Sequence, residues 1–175
     1  APETSQVYAA VLFHFARGVA LARTNQLKEA EKELQQLQNF ISNPQLKESP
    51  PAFNPGIAGT RVAEKILQGV IAEENNDLAT AIAFLKEAVY KEDGMLYGEP
   101  RDWLLPARHY LAGILLKAKQ YKEAEKNCKE DLVINPNNVW SLTGLEKALN
   151  QQGKTKEAAL VNIKVKKASV RTDVT

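Results

Sequence analysis

The chain has 175 residues, enough for one domain or one compact array with a sizeable core. Lys and Arg total 23 against 21 acidic residues, and a formal net charge of +2 gives no general electrostatic case for nucleic-acid binding. One cysteine, Cys128, excludes an internal disulfide and any cysteine-built zinc cluster. No run reaches the roughly 18–20 consecutive apolar residues of a membrane span; the nearest, Val7 to Ala22, is interrupted by His14 and Arg17. No basic stretch precedes Ala1-Pro2-Glu3, so the start does not read as a signal peptide.

Hydrophobic periodicity predicts eight helices, at roughly 5–23, 26–41, 57–74, 77–91, 105–118, 121–134, 138–152 and 155–170. Between the second and third lies a proline-rich insertion, about 42–58, holding Pro44, Pro50, Pro51 and Pro55. It is expected to be irregular, with Phe53 and Ile57 docked on the helices. A second insertion, about 92–104, interrupts helices four and five. Gly94 suits a left-handed cap, and Met95, Leu96, Tyr97 and Trp103 form an apolar cluster after it. The last helix carries a local excess of lysine, at Lys154, Lys156, Lys164, Lys166 and Lys167 with Arg171, read as a solvated face. Cys128 falls on the apolar face of helix six with Tyr121, Ala124 and Leu132, as a small buried hydrophobe. Trp140 is expected to pack in the core after the Asn135–Asn138 turn.

Aligned on itself, the chain repeats. Ala30, Ala81, Ala124 and Ala158 each follow a polar turn, and twelve residues before them stand Gly18, Gly69, Ala112 and Glu146. Small residues at both places let two antiparallel helices approach closely. Ala124 to Ala158 spans 34 residues, whereas the two earlier spacings are 51 and 43, which locates the insertions.

The pattern resembles the tetratricopeptide repeat, a helix–turn–helix unit of about 34 residues. Leu111, Ala112, Ala124 and Pro136 match it in the third copy, Leu145, Gly153 and Ala158 in the fourth. In the first copy the matches are Gly18, Leu21, Leu27, Ala30 and Leu34, and in the second Gly69, Leu78, Ala81, Leu85 and Ala88. Two positions depart: the early tryptophan is replaced by His14, Lys65, Arg108 and Leu142, and a late small position holds Asp131. The resemblance implies an all-α solenoid, a single array with repeats at about 5–41, 57–91, 105–137 and 138–170. Tyr97-Gly98-Glu99-Pro100 with Trp103, Pro106 and Arg108 is similar to a motif in a subgroup of larger bacterial proteins of this class. That likeness suggests a fragment; the compartment, bacterial cytoplasm or periplasm, stays open.

In this repeat class the first helix of each pair lines a concave surface, which here implies Leu12, Phe15, Val19, Ile66, Val70 and His109 as a partner-binding face. The apolar residues leave no carboxylate clamp of the chaperone-binding type. The expected function is a protein-interaction scaffold for a protein or peptide segment, tuned by Tyr97, Glu99, Trp103 and Arg108 of the second insertion. Trp103 or Phe53 folding into the concavity is the competing use of that face, and a Glu99–Arg108 ion pair would pin the loop. One alternative is a small-ligand or metal site formed by His14, His109 and Glu99 with Arg108, although no ligand spacing supports it. Another is a purely structural or oligomerising array. No nucleophile elbow, phosphate-binding glycine loop or dinucleotide fingerprint is present, so no enzyme activity and no cofactor is expected.

Overall fold

A computed structural model describes residues 4–48, 53–99 and 101–170. Among these residues there are eight α-helices and no strand: α1 (Thr4–Arg23), α2 (Leu27–Phe40), α3 (Gly56–Glu74), α4 (Leu78–Asp93), α5 (Ala107–Lys117), α6 (Tyr121–Ile134), α7 (Val139–Gln151) and α8 (Thr155–Ser169). The fold is all-α and built from successive helix–turn–helix pairs. Every helix end falls within two residues of its predicted place. The chain divides into two compact units, Ala1–Ala107 and Arg108–Thr175.

One backbone device makes all four pairs. Asn25, Asn76, Lys119 and Gly153 stand five residues before the marker alanines, and each has a positive φ, between 58° and 74°. The next residue then donates its N–H back over the helix end, from Gln26 to Leu21, Asp77 to Ala72, Gln120 to Leu115 and Lys154 to Leu149, at 2.8–3.0 Å. This 6→1 closure satisfies the carbonyls left open where the first helix stops, and turns the chain into the second. Asparagine and glycine tolerate the left-handed backbone; Lys119 does not share that ease. The marker alanines then enter the interface completely, Ala30, Ala81 and Ala124 at 0% exposure and Ala158 at 2%.

In the first unit α1 packs on α2 and α3, and α3 on α2 and α4. Its core includes Val11, Leu37, Val62, Ile66, Leu67 and Leu85. The close approaches leave no space for a side chain: a Cβ on Gly18 would lie 2.7 Å from Leu67 Cδ2, and one on Gly69 2.6 Å from Leu85 Cγ. In the second unit α7 packs on α6 and α8, around Ala112, Cys128, Leu145, Leu149 and Ala158. The polar departure at Glu146 is absorbed there by a hydrogen bond from Asn162 Nδ2, 2.9 Å long.

The first insertion contains a short 3₁₀ turn, Pro44–Lys47, started by Asn43 accepting the Gln45 N–H. This turn sets Leu46 into the core of α1 and α3, fully buried. Pro50 and Pro51 lie outside the described residues, as do Pro100 and Arg171. Three local expectations need correction. Gly94 closes α4 in ordinary right-handed geometry, φ −80°, with its N–H on Tyr90 O. Trp140 is 62% exposed, because the first turn of α7 turns Ser141 and Leu142 inward instead. Phe53 is 64% exposed; it is Leu46 that docks. Cys128 is buried as expected, and burial followed by the nearby Asp131 charge pushes its thiol up to about 12.

Candidate interaction surface

Two of the residues expected to shape function are joined on the first unit. Trp103, only 5% exposed, lies edge-on to Phe15 of α1 with ring centroids 5.3 Å apart. Its indole N–H donates to the Leu105 carbonyl at 2.6 Å, satisfying the one polar atom the ring carries inward. The face expected to be open at Phe15 is therefore covered by the chain's own second insertion. Phe15 itself is 4% exposed, and Ile66 and Val70 are buried. These three carry packing of the first unit. Of the expected face on α1, Leu12 is open and Val19 is half-buried.

The second insertion is tied at several points besides Trp103. Asn54, from the first insertion, uses its whole side-chain amide on it. The Nδ2 group donates to Leu96 O at 2.8 Å and to Asp102 Oδ2 at 2.7 Å, while Oδ1 accepts the Leu96 N–H at 2.8 Å. Tyr8 of α1 donates to Asp102 O at 3.4 Å. Burial, and then the Asp102 charge, raise the pKa of the Tyr8 phenol. At the far end Glu92 Oε2 accepts the N–H of Ala107, capping the start of α5 from the end of α4 at 2.7 Å. Tyr97 donates to Glu99, which raises the tyrosine pKa above its ordinary value.

What this bracing holds outward is apolar. Leu96, Tyr97, Leu104 and Leu105 are 57%, 76%, 75% and 48% exposed. Tyr97 and Trp103, expected in one apolar cluster, are separated into a presented residue and a buried anchor. Asn54 escaped notice, since an asparagine between Phe53 and Pro55 reads only as a turn signal. On the same unit Ala58 and Arg61 of α3 with Tyr90, Lys91 and Met95 line a separate open depression of about 400 Å³.

The remaining expected site residues belong to interhelical contacts. His14 Nδ1 lies 2.6 Å from Glu33 Oε2, across α1 and α2, with Arg17 Nε 3.5 Å from the other carboxylate oxygen. His109 Nε2 lies 3.2 Å from Asp131 Oδ2, across α5 and α6. Asp131, at the position where the repeat pattern wants a small residue, also accepts from Ser141 Oγ at 2.5 Å and Asn135 Nδ2 at 2.9 Å. Burial works to raise its pKa, but the hydrogen bonds from His109, Ser141 and Asn135 outweigh it and hold the carboxyl below its ordinary range. Arg108 Nη2 sits 3.7 Å from Glu130, and its carbonyl accepts from Asn127 at 2.9 Å. The partners observed for the expected Glu99–Arg108 pair are thus Tyr97 for the carboxylate and Glu130 for the guanidinium. Among the described residues no three of His, Cys, Asp and Glu group as metal ligands would.

The copies share one more contact, between the early position of the first helix and the third residue after the marker alanine. In copy one it is His14 with Glu33, in copy two the Lys65 ammonium 5.0 Å from the Phe84 ring centre, in copy three the Arg108 carbonyl with Asn127. The first three copies thus make three different polar contacts at one geometric place, the third through the Arg108 backbone and not its side chain.

No protein-family model matches the chain, and no curated protein matches it. A solved structure titled "MamA MSR-1 C2" is similar over 93% of this chain and 98% of that one, at 17% identity and a TM-score of 0.40, a likeness too slight to carry an argument. Among the described residues, no helix is long and apolar enough to cross a membrane.

Proposed function

We propose that this chain is a non-catalytic protein-interaction module whose second insertion is the contact surface. The observation that carries this reading is the exposure of Leu96, Tyr97, Leu104 and Leu105 on a segment fastened by Trp103, Asn54 and Tyr8. Exposed apolar side chains within one short stretch mark a binding surface more often than scattered single ones do. Holding them on braced backbone removes much of the ordering cost that a mobile loop would meet on association. The fitting partner is a protein segment offering an apolar pocket for Tyr97 and the leucines, with Leu12 on α1 as the open remainder of the first-helix face.

Affinity capture from the native source, comparing the parent with Tyr97→Ser and Leu104→Glu, tests this. Both side chains are three-quarters exposed, so the fold is expected to survive, as circular dichroism can verify. The same captured protein should be lost with both variants. Retention of that protein by both would place binding elsewhere.

A further inference from the structure

The second unit has a surface that the reading above does not use. Leu132 and Val133 of α6 and Leu160 and Val161 of α8 wall a groove of about 410 Å³. Leu145 and Leu149 of α7 form its floor, at 5% and 1% exposure. Beside it α8 presents Leu160 and Ile163, 64% and 63% exposed, one turn apart on its outer side. Ala158 is the only residue of α8 that is fully buried among those described. A helix with apolar residues at this spacing on its solvent side is arranged to meet another helix.

The charges around this groove are unequal. Glu125, early in α6, engages both Lys129 and Lys154 at 2.6 Å. Lys164, Lys166 and Lys167 are exposed in the last turns of α8, and among the described residues none of them forms an ion pair. Lys164 stands on the rim itself, with Glu157 the single acid on the opposite end of the same helix.

We propose that the α6–α8 groove binds an acidic amphipathic helix of a partner protein, with apolar side chains inserted over Leu145 and Leu149 and carboxylates against Lys164 and Lys167. A floor this deeply set is reached by an inserted side chain and not by a flat bilayer surface. A second copy offering the exposed Phe13 of α1 would bring Arg17 toward these lysines, a like-charge approach. The Glu157 end takes the basic or neutral end of the docked helix, which fixes its direction.

The test uses the full chain and two synthetic helical peptides with the same leucine spacing, one flanked by glutamates and one by lysines. Fluorescence anisotropy should show the acidic peptide binding about tenfold or more tightly, with affinity falling as salt rises. Leu160→Glu, Ile163→Glu and the pair Lys164→Glu with Lys167→Glu should each weaken it about tenfold. These residues are exposed, and unchanged helix content by circular dichroism in any one of them keeps the comparison valid. Leu104→Glu should leave peptide binding unchanged, which separates this groove from the second insertion. Equal binding of both peptides, binding of neither, or indifference to Leu160→Glu would overturn the proposal. So would Leu160-dependent sedimentation with phosphatidylserine vesicles, which would assign the face to a membrane. Self-association abolished by Leu160→Glu would assign it to a second copy and equally overturn the proposal.

Discussion

Asn54→Ala isolates the bracing of the proposed contact surface from the stability of the helices. The substitution removes three hydrogen bonds, two with the Leu96 backbone and one with Asp102, all between 2.7 and 2.8 Å. At about 0.5–1.5 kcal/mol net for each bond, the closed form of the insertion should lose about 1.5–3 kcal/mol against its open form, the exposed setting favouring the lower end. Native-state hydrogen exchange reads that quantity at the Leu96 amide, whose acceptor is Asn54 Oδ1 itself. Opening made easier by that amount accelerates exchange there roughly tenfold to hundredfold. Amides within α3, where Ile66 and Val70 are buried, should keep their rates, because none of the lost bonds involves them. Partner affinity should fall by a similar or smaller factor, since the insertion must now be ordered upon binding. Unchanged exchange at Leu96 would refute the bracing, and exchange raised equally in α3 would show that Asn54 supports the whole unit.

Four further outcomes follow from the same geometry. Glu125 is held at about 2, first by Lys129 and Lys154, against an ordinary 4.5. Its folded pKa is the lower one, so its contribution is present above about pH 4.5 and fades as pH falls toward 2; with lysines half exposed and screened, it is about 1–2 kcal/mol. Glu125→Gln should flatten acid unfolding in that window, as followed by circular dichroism. Lys119, at φ 58°, carries a side chain in a left-handed turn, whereas Gly153 occupies the equivalent place at φ 74°. Lys119→Gly should stabilise and Gly153→Ala should destabilise, each by about 1 kcal/mol in urea titrations. Gly69→Ala drives a methyl against buried Leu85 and should cost about 1–3 kcal/mol by the same measurement. Asp131→Ala strands the buried Ser141 hydroxyl and the half-buried groups of His109 and Asn135, and should cost about 2–3 kcal/mol.

Helix pairing was legible because the signals for it are local. A left-handed turn and an alanine at fixed spacing recur four times, with a small residue twelve positions earlier in the first three copies, and together they declare where two helices touch. What covers an apolar face is not local information. Phe15 and Val70 read as an open binding surface because periodicity marks which side of a helix is apolar and says nothing of what lies against it. The cover of Phe15 is Trp103, which comes 88 residues later and is fastened through Leu105 and beside Asp102, whose carboxylate accepts from Asn54. Trp140 failed for the converse reason. Large aromatics are usually buried, but α7 satisfies its interface with Ser141, Leu142 and Leu145 and leaves the ring outside. The histidines, weighed as ligands, each turned out to face a carboxylate on the adjacent helix of their own pair.

The polar contacts between paired helices show how the copies share one geometry while their sequences differ. Backbone register is kept by the left-handed turn, which no side chain except its own has to accommodate. Once that register is fixed, the early position of the first helix and the third residue past the marker alanine must meet. The side-chain pairs that fill the place satisfy their polar atoms differently, imidazole with carboxylate in the first copy and ammonium on a ring in the second, while in the third Asn127 donates to the Arg108 backbone carbonyl. The −12 position obeys the same rule. Where Gly69 admits Leu85 of the facing helix, Glu146 instead takes a hydrogen bond from Asn162, four residues past its own marker as Leu85 is past Ala81. Changing one member of such a pair alone would leave a gap or an unsatisfied group between the helices. Among the four copies the residues differ at His14, Lys65 and Arg108 and at Glu146, while the turn and the alanine are common to all. The exposed residues of the second insertion and of the α6–α8 groove lie outside these coupled pairs. They are free to change without disturbing the helices, which makes them the parts of this chain able to acquire a particular partner.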